Sequence, residues 1–372
     1  MLVGVPKEIK DNEYRVGIVP STVRELVENG HRVLIQTGAG SGAGLSDADY
    51  RAAGAEIVAN GEEVFSRAEL IVKVKEPLAE ERKRLHRGQV LFTYLHLAPD
   101  RRQTEELMAS GVTAIAYETV TSPQGALPLL TPMSEVAGRM APHVGGHCLE
   151  KENGGRGVLL AGVPGVPPAS VVVLGGGVAG TNAAQIASGM GAEVAVLDRN
   201  PEALRRVAAQ LGSGVRTLFS TRDVVEVLCR RADLVIAAAL VPGAPAPKLI
   251  SAQTVKAMKP GAVIVDIAID QGGCADTSRP TSHSHPTYVI DDVVHYCVTN
   301  MPGAVARTST FALSNVTTSF VLALADKGWR RALSEDPHLR DGLNVHDGHI
   351  TYRAVATALD LPYMHADQAL RS

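Results

Sequence analysis

Aromatic side chains are scarce in this sequence, only 4% of 372 residues, with Trp329 the single tryptophan. Glycine, by contrast, is abundant at 36 residues, a balance that suits close-packed helices and strands and loops that bring backbone near a ligand. A genome rich in G and C accounts for part of the same bias. Cysteine is nearly as rare: Cys148, Cys229, Cys274 and Cys297 form no C-x-x-C pair and no zinc-like rhythm, which fits a reducing compartment. Excess charge of either sign is missing too. With 36 basic and 39 acidic residues the formal charge is −3, and no field gathers nucleic acid or an anionic membrane. The opening MLVGVPKEIKDNEYR reaches charge too early for a signal peptide. A stretch without charge does run from Gly157 to Ala192, but its prolines, glycine cluster, Thr181, Asn182 and Gln185 spoil a membrane span. These features predict a soluble, cytoplasmic protein.

At ~150 residues per domain the length predicts two or three domains. Hydrophobic residues at 45% and charged residues at 20% are ordinary for a globular chain. Strand-length apolar runs alternate with helical patterns, which predicts βαβ units and parallel sheets. In the first third these are Leu2–Val5, a helix from about Ser21 to Asn29, then HRVLIQT, ELIVKVKEP, QVLFTYLHLA and VTAIAYETV. Thr22 and Glu25 suggest a capping box, and Gly30 a stop. A helix over 134–154 bridges to six further strands, the size of a full dinucleotide-binding domain. Beyond Pro302 the pattern turns helical, and this short tail is expected to pack back on a domain.

The strongest motif is Gly175-x-Gly177-x-x-Gly180, directly after a strand and before a helix of small residues. The first glycine permits a tight turn, the second lets backbone approach a pyrophosphate, and the third lets helix and strand pack closely. Helix amides then face the phosphates. The next strand, AEVAVLD, ends in Asp198, a carboxylate suited to ribose hydroxyls and hostile to a 2′-phosphate, although Arg199 beside it leaves some NADP tolerance open.

Other candidates are single residues at strand ends. Arg15, in a polar loop, is either a solvated arginine or a bidentate clamp for a carboxylate. Lys73 and Lys75 stand on one face of a strand, as edge protection or as an anion or carbonyl site. His96 closes a strand, where ligands of open α/β sheets bind, and suits proton transfer or a loop hydrogen bond. Asp270 ends AVIVDIAID in the same way, sharing a face with Asp266 and Ala268, with a structural cap as the alternative reading of Asp266. His143 with His147, His283 with His285, and the loop-placed His346 with His349 lack convincing metal-ligand spacing, and no G-x-S-x-G nucleophile motif occurs.

Taken together, GVPKEIKDNEYRVGIVP, ELIVKVKEP, LFTYLHLA, the glycine fingerprint, VDIAIDQGGC and VTNMPGAVARTST resemble, in order and spacing, the alanine dehydrogenase family, shared with the NAD-binding part of proton-translocating transhydrogenase. The resemblance covers residues 1 to 365. It implies an α/β chain of two doubly wound, Rossmann-like domains, the first discontinuous: a substrate domain of residues 1–130 plus 306–372 and an NAD-binding domain of residues 131–305. It also implies NAD-dependent oxidative deamination of L-alanine to pyruvate and ammonium, reversibly, in a homohexamer with no nucleic-acid or membrane partner. In this reading Arg15 and Lys75 bind substrate, and His96 and Asp270 are catalytic. NAD would be met by Ser134, Gly175, Gly177, Val178, Gly180, Asp198, Ser220, Ala239, Leu240, Ile267, Asp270, Arg279, Asn300 and Met301. Some members bind a divalent metal through Glu and His, but Ala323 and Lys327 stand there, so no metal is expected. The family's Thr-Pro is here Val19-Pro20. Competing readings are a related amino-acid dehydrogenase of different substrate, a transhydrogenase-like NAD(H) subunit, and a regulatory protein without catalysis.

Overall fold

The computed structural model describes residues 1–239 and 245–371, in two compact units. The first joins Met1–Met133 to Gly303–Ser372, and the second is Ser134–Pro302. Fifteen strands are found among the described residues. The first unit holds β1 (Leu2–Val5), β2 (Arg32–Gln36), β3 (Glu56–Val58), β4 (Leu70–Val72), β5 (Val90–Thr93) and β6 (Thr113–Ala116). The second holds β7 (Ser170–Leu174), β8 (Glu193–Asp198), β9 (Val215–Phe219), β10 (Leu234–Ala237), β11 (Val263–Asp266), β12 (Thr287–Ile290) and β13 (Val293–Tyr296). β14 (Leu343–His346) and β15 (His349–Ile350) come from the tail.

In the first unit the strand order is β15-β14-β6-β5-β4-β1-β2-β3. β1 to β6 pair in parallel, whereas β14 runs antiparallel to β6, and β15 to β14. The tail is therefore more than helical: it supplies one edge of the first sheet. Its helix Ala306–Glu335 is long and apolar enough to cross a membrane by length and composition, but it packs within this unit. Its Thr310 Oγ1 accepts from Val16 N at 3.4 Å, and Ser314 and Thr318 share hydrogen bonds with Thr22 Oγ1. Those bonds correct the expected capping box. The helix Pro20–Glu28 starts at Val19 with Pro20 in its first turn, so Thr22 lies inside it and serves packing instead. Gly30, at φ +80°, follows the helix end.

The second sheet runs β12-β13-β11-β10-β7-β8-β9, parallel except for β12, which pairs antiparallel with β13. β12 is the strand beyond the six expected. Alternate residues of these strands serve two cores: Val171, Val173, Val194 and Ile236 on one face, Val172, Leu174, Leu197 and Val235 on the other. Burial on both faces explains the unbroken apolar runs. The helix expected over 134–154 is Thr131–Cys148, followed by a 3₁₀ turn Lys151–Asn153. Both units are thus doubly wound, and the strand order reverses between β1 and β4 in the first and between β7 and β10 in the second. Loops leaving the carboxyl ends of two such strands diverge and open a crevice.

Candidate active site

In the first unit, Arg15 follows β1, Lys75 follows β4 and His96 follows β5, three adjacent strands that include the reversal point. Arg15 is not a solvated arginine; it is 2% exposed. Glu13 Oε1 accepts from Arg15 Nε at 2.7 Å and Oε2 from Nη2 at 2.6 Å, while Nη1 donates to Met133 Sδ at 3.0 Å. Burial alone would lower the guanidinium's pKa, but the Glu13 carboxylate outweighs it and the net shift is upward.

The two lysines part company. β4 is an interior strand that ends at Val72, so edge protection does not apply. Lys73 is fully buried between Glu8 Oε2 at 3.0 Å and Glu81 Oε1 at 2.7 Å, and is structural. Burial would lower its ammonium, but the two carboxylates raise it on balance. Burial also raises the Glu8 carboxyl, with Lys73 opposing and Glu81 adding to the rise. Glu8 Oε1 in turn accepts from Val74 N at 2.7 Å and Lys75 N at 3.3 Å. Lys75 is half-buried, and its carbonyl accepts from Thr93 Oγ1 at 2.8 Å, tying its backbone to the end of β5. Lys75 thus stays the candidate for a ligand, and Lys73 does not.

His96 lies three residues past the end of β5, 45% exposed at its side chain, with φ +49°. Its ring stacks on that of Tyr94, 5.8 Å between centroids and 2° between planes. Tyr94 is anchored by its hydroxyl, which donates to Leu129 O at 2.5 Å, and burial pushes the phenol's pKa up. The Glu118 carboxylate accepts from the His96 and Leu95 amides.

In the second unit, Gly175, Asp198, Ser220, Ala239 and Ile267 lie at or just past the ends of β7, β8, β9, β10 and β11, at the carboxyl edge of the sheet. Gly175 has φ +107°, and a Cβ there would meet the Ala238 and Ala239 backbone at 2.9 Å. A Cβ on Gly180 would stand 1.8 Å from Gly175 O, whereas one on Gly177 would meet nothing within 4 Å. The helix Val178–Gly189 therefore packs hard on the turn and leaves clearance at Gly177, with no side chain capping its N-terminal amides. An uncapped 12-residue helix above an open glycine fits a pyrophosphate. Asp198 ends β8; its Oδ2 accepts from Gly176 N at 2.6 Å and Oδ1 from Asn200 N at 2.7 Å, which fixes the carboxylate beside the turn. Ser220 N donates to Asp198 O at 2.9 Å. Val178 is 42% exposed, Ala239 is half-buried after β10, and Ser134 is half-buried on the helix Thr131–Cys148. Arg279 covers the Tyr288 ring at 4.3 Å. Asn300, with φ +61°, accepts at its carbonyl from His283 Nε2 at 3.1 Å, and Met301 is buried. Leu240 lies outside the described residues.

Asp270 does not end a strand. β11 stops at Asp266, and Ile267 and Asp270 sit on the 3₁₀ turn Ile267–Gln271, so the face expected for Asp266, Ala268 and Asp270 does not exist. Asp266 stops the strand itself: its buried carboxylate accepts from Ala268 N at 3.1 Å, Cys274 N at 2.7 Å and Ser278 Oγ at 2.6 Å. Asp270 is left exposed. The cysteines are all buried and free, and burial pushes the thiols up, Cys148 and Cys297 to about 11 and Cys229 and Cys274 to about 12, far from nucleophile range.

Nor are His346 and His349 in loops. His346 ends β14, bonded to Thr113 at 3.0 Å and packed on Trp329, and His349 opens β15. Among the described residues no three His, Cys, Asp or Glu side chains form a metal cluster; Lys327 pairs with Glu335 at 2.7 Å. Glu13, Glu8, Glu81, Glu118 and Met133 were not singled out as site residues by the sequence, whereas Asp266 is the structural cap that the sequence offered. Glu118 alone carried a signal, an acid just past a strand end, as His96 is.

The sequence matches "Alanine dehydrogenase/PNT, N-terminal domain" over residues 4–137 and "Alanine dehydrogenase/PNT, C-terminal domain" over residues 141–353. The chain belongs to the alanine dehydrogenase/PNT family. It is 60% identical to the alanine dehydrogenase of Halomonas elongata over 366 residues, 98% of this chain and 99% of that one. A solved L-alanine dehydrogenase, 52% identical, superposes with TM-score 0.93 over 97% of this chain and 99% of that one. The transhydrogenase of Sinorhizobium meliloti, 25% identical, gives 0.80 over 95% and 100%. These two solved structures share this fold, and the dehydrogenase is the nearer of the two in sequence.

Proposed function

We propose that this chain is an NAD-dependent dehydrogenase that oxidatively deaminates L-alanine to pyruvate and ammonium and runs the reverse amination. The observation that carries the reading is that Arg15, Lys75 and His96 lie on the segments that follow β1, β4 and β5, three adjacent parallel strands. The near-full-length identity to alanine dehydrogenases supports it.

Arg15, fixed by Glu13, clamps the substrate carboxylate, and Lys75 donates to the same carboxylate and to the oxygen that becomes the pyruvate carbonyl. The Gly175–Gly180 turn and Asp198 would hold NAD⁺ in the second unit, and the cofactor would supply the hydride acceptor there. The substrate ammonium first gives up one proton to solvent; loss of hydride from Cα of the neutral amine would then leave an iminium on alanine, a cation that the Asp270 carboxylate would stabilise. Water adds to the iminium carbon and yields a carbinolamine. His96 accepts the proton released from the water and returns it to the carbinolamine nitrogen; as the C–N bond breaks, the hydroxyl proton passes through His96 to the departing ammonia, giving pyruvate and ammonium. Overall, alanine, NAD⁺ and water become pyruvate, ammonium, NADH and one proton. Ser134, Val178, Ser220, Ala239, Leu240, Ile267, Arg279, Asn300 and Met301 complete the cofactor contacts in this reading. The chain works as a homohexamer in the cytoplasm, where a reducing medium suits its free cysteines.

The test is absorbance at 340 nm with purified protein, NAD⁺ and L-alanine at alkaline pH, and with pyruvate, ammonium and NADH near neutrality. NADH formation that requires L-alanine is expected. Bound NADH without turnover in either direction overturns the reading in favour of a transhydrogenase-like subunit. Light scattering on the eluting protein checks the hexamer.

A further inference from the structure

Glu118 follows β6, next to β5 in the sheet, and its carboxylate reaches the loop that carries His96. Oε1 accepts from His96 N at 2.6 Å and Leu95 N at 3.2 Å, and Oε2 also lies 3.2 Å from Leu95 N. These bonds matter because His96 sits at φ +49°, a left-handed conformation that is strained for a non-glycine residue. A carboxylate gripping two consecutive amides offsets that strain and holds the residue there. Glu118 Oε1 also stands 3.9 Å from His96 Nδ1, and the ring is kept in plane by Tyr94. Too long for a hydrogen bond, this separation still sets a negative charge against one ring nitrogen and not the other. An anionic oxygen set against one imidazole nitrogen favours the tautomer that carries the proton there. Tyr94 and the tail's Tyr352 are the other titratable groups that feel Glu118, and both are phenols held neutral by burial.

We propose that Glu118 is the positioning residue of His96: it pins the strained backbone and keeps the ring proton on Nδ1, so that Nε2 faces the substrate as the proton acceptor. Nothing in the proposal has Glu118 touch alanine. It rests on the reading that His96 transfers protons during deamination.

Glu118→Gln keeps an amide-accepting oxygen and removes the charge, Glu118→Ala removes both, and Glu118→Asp keeps the charge on a shorter arm. For Glu118→Gln, kcat with L-alanine should fall about 10- to 100-fold, with KM for L-alanine and NAD⁺ changed less than about threefold. Glu118→Asp should recover part of the loss and Glu118→Ala should lose more. The deciding comparison is a double-mutant cycle. In a His96→Gln background, Glu118→Gln should cost nothing further, since it acts through an imidazole no longer present. Full additivity of the two losses overturns the proposal, as does a Glu118→Gln enzyme with wild-type kcat. A second readout needs no turnover. Nitrogen-15 spectra of histidine-labelled protein, with the His96 signals identified by their loss in His96→Gln, should show the Nδ1–H tautomer in the wild type and a shift toward Nε2–H in Glu118→Gln. An unchanged tautomer overturns the proposal. If the wild type does not oxidise alanine at all, the functional reading fails, and these spectra still decide whether Glu118 governs His96.

Discussion

Arg15 is held from two sides: Glu13 takes its Nε and Nη2, and the Met133 sulfur takes its Nη1 at 3.0 Å. A guanidinium seated this way cannot swing to meet a ligand. It offers a fixed edge, so on the proposed reading the orientation of the substrate carboxylate is set before binding.

Arg15→Lys keeps the charge but loses the planar fork. One charge-assisted hydrogen bond is worth ~1.5–3 kcal/mol, so KM for L-alanine should rise about 10- to 100-fold. NADH affinity, read by fluorescence titration, should stay unchanged. An alanine KM within about twofold of wild type would remove Arg15 from carboxylate binding.

Gly177 and Gly180 should fail differently when given a methyl group. At Gly180 the new Cβ collides with Gly175 O, so Gly180→Ala should cost ~1–3 kcal/mol of stability in a denaturant titration and lose NADH as well. At Gly177 the methyl enters open space, so Gly177→Ala should keep its stability yet weaken NADH by about tenfold or more, because it fills the pyrophosphate's clearance. Equal NADH affinity in Gly177→Ala and wild type would count against a pyrophosphate at that turn.

On the proposed reading Asp198 selects between nucleotides through its charge; its carboxylate is held in place by Gly176 and Asn200. Asp198→Ala should narrow the preference for NAD over NADP, measured as the ratio of kcat/KM values, by about 10-fold or more. An unchanged ratio would sink the assignment.

Glu8, Lys73 and Glu81 bury two carboxylates with one ammonium. The Glu8 carboxyl is raised in the folded chain, so the folded chain binds the extra proton more tightly than the unfolded one. Its contribution to stability is therefore complete below pH 4.5 and is lost as pH rises through the raised native value. Glu8→Gln, the neutral analogue, should lack that loss and be at least as stable as wild type at pH 8. Lys73→Met strands two buried carboxylates and should cost ~3–5 kcal/mol. Melting temperatures at half-unit steps from pH 5 to 8 check both. Parallel slopes for wild type and Glu8→Gln would contradict the shift.

The sequence was most legible where chemistry is local. The Gly175–Gly180 turn, the strand before it and Asp198 are decided by neighbours in the chain, and the structure puts each at the carboxyl edge of its sheet. The burial of Arg15 was not legible, although its partner Glu13 is two residues away, because burial is decided by how the loop packs against Met133 and its surroundings. Lys73 and Lys75 looked alike by spacing. What separates them is Glu8 and Glu81, brought from 65 and 8 residues away. The strand end at Asp266 was missed because the side chain that stops the strand belongs to an apolar run. β14, with Asn344 and His346 in four residues, has no strand signature of its own and becomes a strand by pairing with β6.

That pairing bears on the order of synthesis. β6 ends at residue 116, but the edge that covers it is not made until residue 343 leaves the ribosome. The second unit, continuous from Ser134 to Pro302, is complete long before then. A nascent chain therefore finishes its later unit first, while its earliest strands wait more than 200 residues for their neighbour. Any translational stall between residues 302 and 343 leaves an open sheet edge on the ribosome, and such an edge is where aggregation begins.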